Sequence, residues 1–134
     1  MSAWFLDTSA LLAHFRQEVG SERTQEILEI ADAEVFISAI SVAELGRRIA
    51  SLGESIPEAR RITLEYAGLA TKVLPVDTAT AIRAFEIAAA CEARLPLVDA
   101  LIAAAAGLAG ATLVHRDLHF NAIPAGLVTR EELR

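Results

Sequence analysis

The sequence predicts an α/β protein: a three-layer α/β/α arrangement around a mainly parallel central sheet of four to five strands. Three observations carry this. Short apolar stretches rich in β-branched and aromatic residues alternate with stretches of helical period along the 134 residues, which is the pattern of right-handed βαβ crossovers. Hydrophobic residues make up 54% and charged residues 22%, enough to build a core and too apolar for a disordered chain. No repeat, low-complexity tract or linker interrupts the pattern, so residues 1–134 read as one domain.

The elements follow in order. "AWFL" is a short strand, and a helix runs from about Ser9 to Gln17. "GSERTQEILEIADA" opens on a Ser-x-x-Thr start and reads as a second helix, with Ile27, Leu28 and Ile30 inward. "EVFIS" is a strand of β-favouring residues. "SVAELGRRIASLG" is a helix whose Val42, Leu45, Ile49 and Leu52 share a face, stopped at Gly53. Pro57 starts another helix to about Ala70, and "KVLPV" is a strand with Pro75 at its end. "DTATAIRAFEIAAACEAR" is a long helix from Asp77; after Pro96 a further helix spans about Leu97 to Leu108. "ATLVH" is a strand, "RDLHF" a turn or short helix, and "AGLVT" a candidate last strand.

Charge and composition narrow the function. Twelve Lys and Arg against eighteen Asp and Glu leave a formal charge of −6, a poor balance for unassisted nucleic-acid binding. That objection weakens if some of the acids serve a divalent cation. Cys91 is the single cysteine; it excludes an internal disulfide, suits a reducing cytoplasm and reads as a small buried hydrophobe. No signal peptide is expected, because the N-terminus lacks a basic segment and its apolar run is short. "ALIAAAAGLAGATLV", residues 100 to 114, imitates a membrane span. As one helix it would cover about 22 Å of a hydrocarbon core about 30 Å thick. Gly107 and Gly110 break it, so it reads as buried helix, turn and strand.

Four acids interrupt apolar runs: Asp7 in "FLDTSALL", Glu44 in "ISVAELG", Asp99 in "LPLVDALIAA" and Asp117 in "TLVHRDLHF". Each has a structural alternative. Asp7 and Asp117 suit helix or turn caps. Ser41 to Glu44 fits a capping box, and Glu44 can also pair with Arg48. Asp99 sits in a first helical turn, where the helix dipole favours an anion; its apolar neighbours make an unpaired charge costly there. Together the four point elsewhere. Strand C-termini and the helix starts that follow them share the ligand-binding edge of a parallel sheet, and no matching set of bases accompanies the acids. A hard divalent cation, Mg²⁺ or Mn²⁺, satisfies such a cluster, usually alongside substrate phosphate. Zinc is disfavoured by the absence of a Cys/His pattern; His14 and His115 read as packing or surface residues.

"FLDTSALLA", "ISVAEL", "LPLVDALIAAAA" and "LVHRDLHF", in this order in a chain of this size, resemble the PIN-domain ribonucleases over essentially the whole length. Among these they are most similar to the VapC-type toxins of bacterial toxin–antitoxin pairs. The resemblance implies a PIN-like fold and an acidic site of Asp7, Glu44, Asp99 and Asp117 that hydrolyses RNA phosphodiesters with Mg²⁺ or Mn²⁺. Asp7, Asp99 and Asp117 are then the metal ligands, while Glu44 completes the shell through water or orients the attacking water. Thr8 and Ser9 match the hydroxyl residues that support the first Asp. Many relatives carry an Asp two residues after the one matching Asp117, where this chain has His119; that departure puts a second metal position in doubt. The implied partners are RNA, a VapB-type antitoxin and a second copy of the chain, in the cytoplasm and away from membranes. Arg47, Arg48, Arg60 and Arg61, the densest basic grouping, are candidate RNA-backbone contacts or ordinary solvated helix faces.

Three rival readings stand beside the toxin. A PIN-fold housekeeping nuclease would share the site, and a non-catalytic PIN-like binding module would lack metal dependence. "FLDTSA" is also superficially similar to the nucleophilic-Asp motif of haloacid-dehalogenase phosphatases. That family's second acid is replaced here by Ser9, and Lys72 is the only lysine.

Overall fold

The computed structural model describes residues 2–134; Met1, the first residue of the expected 1–134 domain, lies outside the described residues. Five strands form one sheet: β1 (Ala3–Leu6), β2 (Glu34–Ser38), β3 (Lys72–Leu74), β4 (Thr112–His115) and β5 (Arg130–Glu132). Their order is β3-β2-β1-β4-β5 and every pairing is parallel. Six helices cover it: α1 (Thr8–Arg16), α2 (Ser21–Leu28), α3 (Ala39–Ser51), α4 (Ile56–Leu69), α5 (Thr78–Ala90) and α6 (Leu97–Leu108). This is the expected α/β/α architecture.

Strand alternation divides the core into two layers. Phe5, Phe36 and Leu113 face the α5–α6 layer with Ile87, Ile102 and Phe120. Leu6, Val35, Ile37 and Val114 face the other layer with Leu11, Leu45, Ile49 and Ile62. Burial on both faces is what a parallel sheet under helical crossovers requires. Alanines at 103, 104 and 106 are fully buried in α6, and their small side chains let that helix lie close to the strands and to α5.

The sheet order places the chemistry. The chain steps outward from β1 through β2 to β3, then returns to add β4 on the other side of β1. The direction of winding therefore reverses between β1 and β4, and a crevice opens at the carboxyl ends of those two strands. Asp7 follows β1 and Asp117 follows β4 within two residues. The Asp7 amide donates to Val114 O at 3.0 Å and ties the two strand ends together.

Several local expectations are corrected. The last strand is Arg130–Glu132, not "AGLVT". Gly126, at φ 93°, turns the backbone in that apolar stretch, and buried Val128 plugs the core from a loop. The α3 helix begins at Ala39 with Ser38 as its cap, whose Oγ accepts from Ile40 N at 3.1 Å. Ser41 is thus inside the helix and the proposed capping box with Glu44 does not form; Leu52 is exposed rather than inward. Gly20, not Ser21, caps α2. Helix α5 stops at Ala90, so Cys91 is its half-buried C-cap. Gly107 stays within α6, and the break comes at Gly110, where φ is 64°. No helix among the described residues is long and apolar enough to cross a membrane.

Candidate active site

Asp7, Thr8, Ser9, Glu44, Asp99 and Asp117 line one cleft of about 530 Å³ at the carboxyl edge of the sheet. Each acid arrives by a different local device. Asp7 combines both roles weighed for it. It caps α1 through Oδ2, which accepts from Ser9 N at 3.1 Å and from Ser9 Oγ at 2.5 Å, and it is nevertheless buried in the cleft wall. Glu44 stands in the second turn of α3, where its Oε1 accepts from Thr8 Oγ1 at 2.7 Å rather than pairing with Arg48. Ser41 Oγ lies 3.0 Å from the same Thr8 hydroxyl. Asp99 is in the first turn of α6, and Asp117 caps the short 3-10 turn Leu118–Ala122 through His119 N at 2.9 Å.

Asp99 is the least satisfied of the four. Its side chain is 13% exposed, and its Oδ2 is buried without a hydrogen-bond partner. His119 Nδ1 stands 3.2 Å from that oxygen, close enough for an ion pair but outside hydrogen-bonding geometry. The same nitrogen is 3.2 Å from Asp117 Oδ1. One donor atom each from Asp99, Asp117 and His119 falls within 4.8 Å of the others, a spacing that one metal ion can bridge.

The electrostatics follow from this crowding. The Asp99 carboxyl is pushed up to about 7, by burial first and then by Asp117 and Asp7, with His119 opposing them and Glu44 adding a little. Burial also raises Asp7 to about 6, against the hydrogen bonds from Ser9 and Thr8, which lower it. Mutual repulsion is thus secondary to desolvation at both acids. Arginines line the same cleft, but among the described residues His119 is the only basic side chain that approaches Asp99, and none approaches Asp7. A cation bound among these oxygens would supply the missing pairing.

The PIN domain family matches residues 4–126. This chain belongs to the PIN domain family. No curated protein sequence matches it. Among solved structures it is similar in fold to VapBC2 from Rickettsia felis bound to a promoter DNA fragment. That match has a TM-score of 0.79 at 20% identity, over 98% of this chain and 99% of that one. DNA-bound VapBC from Salmonella typhimurium matches at 26% identity and a TM-score of 0.69, covering 98% of each chain. VapBC-5 from Mycobacterium tuberculosis, a member of a toxin–antitoxin family, matches at 26% and 0.67 over 100% of this chain and 99% of that one.

The arginines of this PIN domain separate. Arg47, Arg48 and Arg60 line a neighbouring groove between α3 and α4, and Arg48 reaches the acidic cleft as well. Arg61 is instead held by Glu58 and Glu65 on its own helix. Arg16, Glu18 and Arg116 also line the cleft, and sequence reasoning missed them. Arg116 sits inside the quoted "LVHRDLHF", so its place beside Asp117 was the available signal. His14, bonded to Tyr66 Oη and Gln25 Oε1 at 2.7 Å each, and buried His115 both stand outside the cleft lining, as packing residues do.

Thr8 links the first loop to α3, so its hydroxyl can be tested separately from the acids. Thr8→Val is expected to cost about 1.5–3 kcal/mol of stability, the net worth of a hydrogen bond to a charged group. Chemical denaturation of both proteins checks this. An unchanged midpoint would mean that Thr8 does not hold Glu44.

Proposed function

We propose that this PIN domain is a divalent-metal-dependent ribonuclease acting as the toxin of a VapBC-type pair. The observation that carries the reading is the unpartnered Asp99 Oδ2 in a cleft with Asp7, Glu44 and Asp117. A buried carboxylate oxygen without a hydrogen-bond partner fits a hard cation, and membership of the PIN domain family with similarity to VapBC structures supports the toxin part of the reading. Asp7, Asp99 and Asp117 hold the ion, with Glu44 at the edge of the shell. The ion is Mg²⁺ or Mn²⁺; the His119 imidazole beside it favours Mn²⁺, because nitrogen donors suit transition metals better than magnesium. When bound, such an ion activates water and neutralises charge on the phosphoryl oxygens and the departing 3′-oxygen.

The chain's own residues do the rest. Ser9 fixes the Asp7 carboxylate through Oδ2, from both its amide and its hydroxyl. Thr8 orients Glu44 toward the cleft, where its carboxylate can position a water and take its proton. Products should carry 5′-phosphate and 3′-hydroxyl ends, because His119, beside Asp99 and Asp117, has no second histidine next to it for a 2′-hydroxyl mechanism, His14 and His115 being packed elsewhere. End-mapping of digested RNA tests this. Cyclic 2′,3′-phosphates, or full activity in chelator, would overturn the metal mechanism.

The α3–α4 groove suits the antitoxin. It measures about 730 Å³, has Val42, Ala50, Ile56, Ala59 and Leu64 along it, and shares Glu44 and Arg48 with the acidic cleft. An amphipathic antitoxin segment would bury its apolar side there, meet Arg47 and Arg60 with acids, and place a cationic side chain toward the carboxylates. Exposed Ile82 and Phe85 on α5 and Leu97 at the start of α6 support a homodimer. Expression of the chain alone should arrest growth, and co-expression with the neighbouring antitoxin should relieve it. Normal growth with abundant lone wild-type protein would contradict the toxin role.

A further inference from the structure

Beside the acids, the cleft has a basic rim for which the metal mechanism has no use. Arg16, the last residue of α1, and Arg116, the residue after β4, converge on one oxygen. Arg116 Nη1 stands 3.4 Å and Arg16 Nε 3.7 Å from Glu18 Oε1. All three side chains line the acidic cleft and are 38–40% exposed. Two guanidiniums thus share a single carboxylate oxygen, at distances too long for strong hydrogen bonds, and one positive charge is left over.

Neither arginine is needed to hold its segment in place. The α1 terminus is closed by its backbone: Gln17 is left-handed at φ 55°, Glu18 N donates to Ala13 O at 3.0 Å, and Ser21 N donates to Glu18 O at 3.0 Å. Arg116 is fixed by its main chain, whose N–H donates to Ser9 Oγ at 2.8 Å. That serine in turn donates to Asp7 Oδ2, so the Arg116 backbone is registered directly to the acidic centre while its guanidinium remains free to exchange partners.

We propose that Arg16 and Arg116 form a phosphate subsite for the RNA backbone next to the scissile bond, occupied in the free protein by Glu18 as a stand-in anion. A phosphodiester presents two non-bridging oxygens, which match a pair of guanidiniums better than one shared carboxylate oxygen does. Arg48, on the α3 side of the cleft, would meet the strand from a second wall. Glu18 then acts as a competitor that RNA must displace. The subsite rests on the nuclease reading, since it is the substrate strand that brings the second phosphate.

The test is binding of a fluorescein-labelled, randomised-sequence single-stranded RNA pool, followed by anisotropy in Mn²⁺ over a salt series, with cleavage of the same pool measured in parallel. Arg116→Ala and Arg16→Ala should each weaken binding about tenfold and make its logarithmic salt dependence shallower by about 0.7 per lost phosphate contact. Glu18→Gln should tighten binding about threefold, the opposite sign, and Arg116→Lys should recover part of the loss, keeping the charge without the fork. An ion pair that merely holds the loop predicts losses of one sign for Glu18→Gln and Arg116→Ala. That result, or unmoved affinities in variants of wild-type melting temperature, overturns the subsite while wild-type cleavage keeps the nuclease reading intact. Wild type that cuts none of the pool in Mn²⁺ overturns the nuclease reading itself. An Arg116→Ala protein that loses affinity for poly-glutamate but binds RNA normally assigns the pair to an acidic peptide and overturns the proposal.

Discussion

Asp99→Asn should lower RNA cleavage by about a thousandfold while leaving the metal-free protein at least as stable as wild type at neutral pH. The loss follows from removing a ligand charge at the centre of the site. The stability result follows from the same burial. A carboxyl raised from 3.8 to about 7 by burial and by Asp117 and Asp7 is held in the fold against its own ionisation, a deficit on the order of 4 kcal/mol at neutral pH and above. The amide has nearly the same shape and no charge, so the deficit disappears with the substitution. Wild type should gain melting temperature on adding Mn²⁺, by about 2.7 kcal/mol of stability at a hundredfold excess over Kd, and the variant should gain much less. Melting curves of both proteins in Mn²⁺ and in chelator decide the matter. If Asp99→Asn melts well below wild type in chelator and responds equally to Mn²⁺, Asp99 is a helix-start residue and not a ligand.

The second large effect is on pH. Asp7 and Asp99 have folded-state values near 6 and 7 against 3.8 when solvated. Raised carboxyl values mean that the fold binds protons more tightly than the unfolded chain does. Their stabilising contribution is complete below about pH 4 and is lost progressively as pH rises through 6 and 7. The metal-free protein should therefore be more stable near pH 5 than near pH 8 by a few kcal/mol. Metal binding runs the other way. A cation must displace those protons, so Mn²⁺ affinity and cleavage should climb steeply between pH 5 and 7.5, by about one to two decades, and then level off. Denaturation midpoints in chelator and initial rates in Mn²⁺, each over that range, are the measurements. Apo stability that rises with pH across this window would show that the two acids are paired rather than stranded.

The alternation of strands and helices was legible because burial on both sheet faces writes apolar runs into the chain, and "AWFL", "EVFIS" and "ATLVH" all became strands. Strand β5 was hidden for the converse reason. It is an edge strand of Arg, Glu and Glu whose apolar neighbours belong to a loop. The reading of Glu44 as a capping-box member failed by one turn, since Ser38 and Ser41 offer the same cap chemistry and only the end of β2 chooses between them. The four acids stood out because each interrupts an apolar run, and the fold brings all four to one cleft. Arg16 and Glu18 did not, because charged residues at an exposed helix end look like any solvated terminus. What makes them neighbours of Arg116 is the β1–β4 pairing, which spans about a hundred residues of sequence. Sequence patterns show what is buried. They do not show which exposed side chains share a rim.

The central claim, that Asp7, Glu44, Asp99 and Asp117 jointly hold a catalytic divalent cation, is tested most directly by calorimetric titration of Mn²⁺ into wild type and into Asp7→Asn, Glu44→Gln, Asp99→Asn and Asp117→Asn. Saturable binding by wild type is expected, weakened about tenfold or more in the three aspartate variants and less in Glu44→Gln, whose carboxylate stands at the edge of the shell. Equal affinity in wild type, Asp7→Asn and Asp99→Asn, together with wild-type cleavage that persists in chelator, would contradict it.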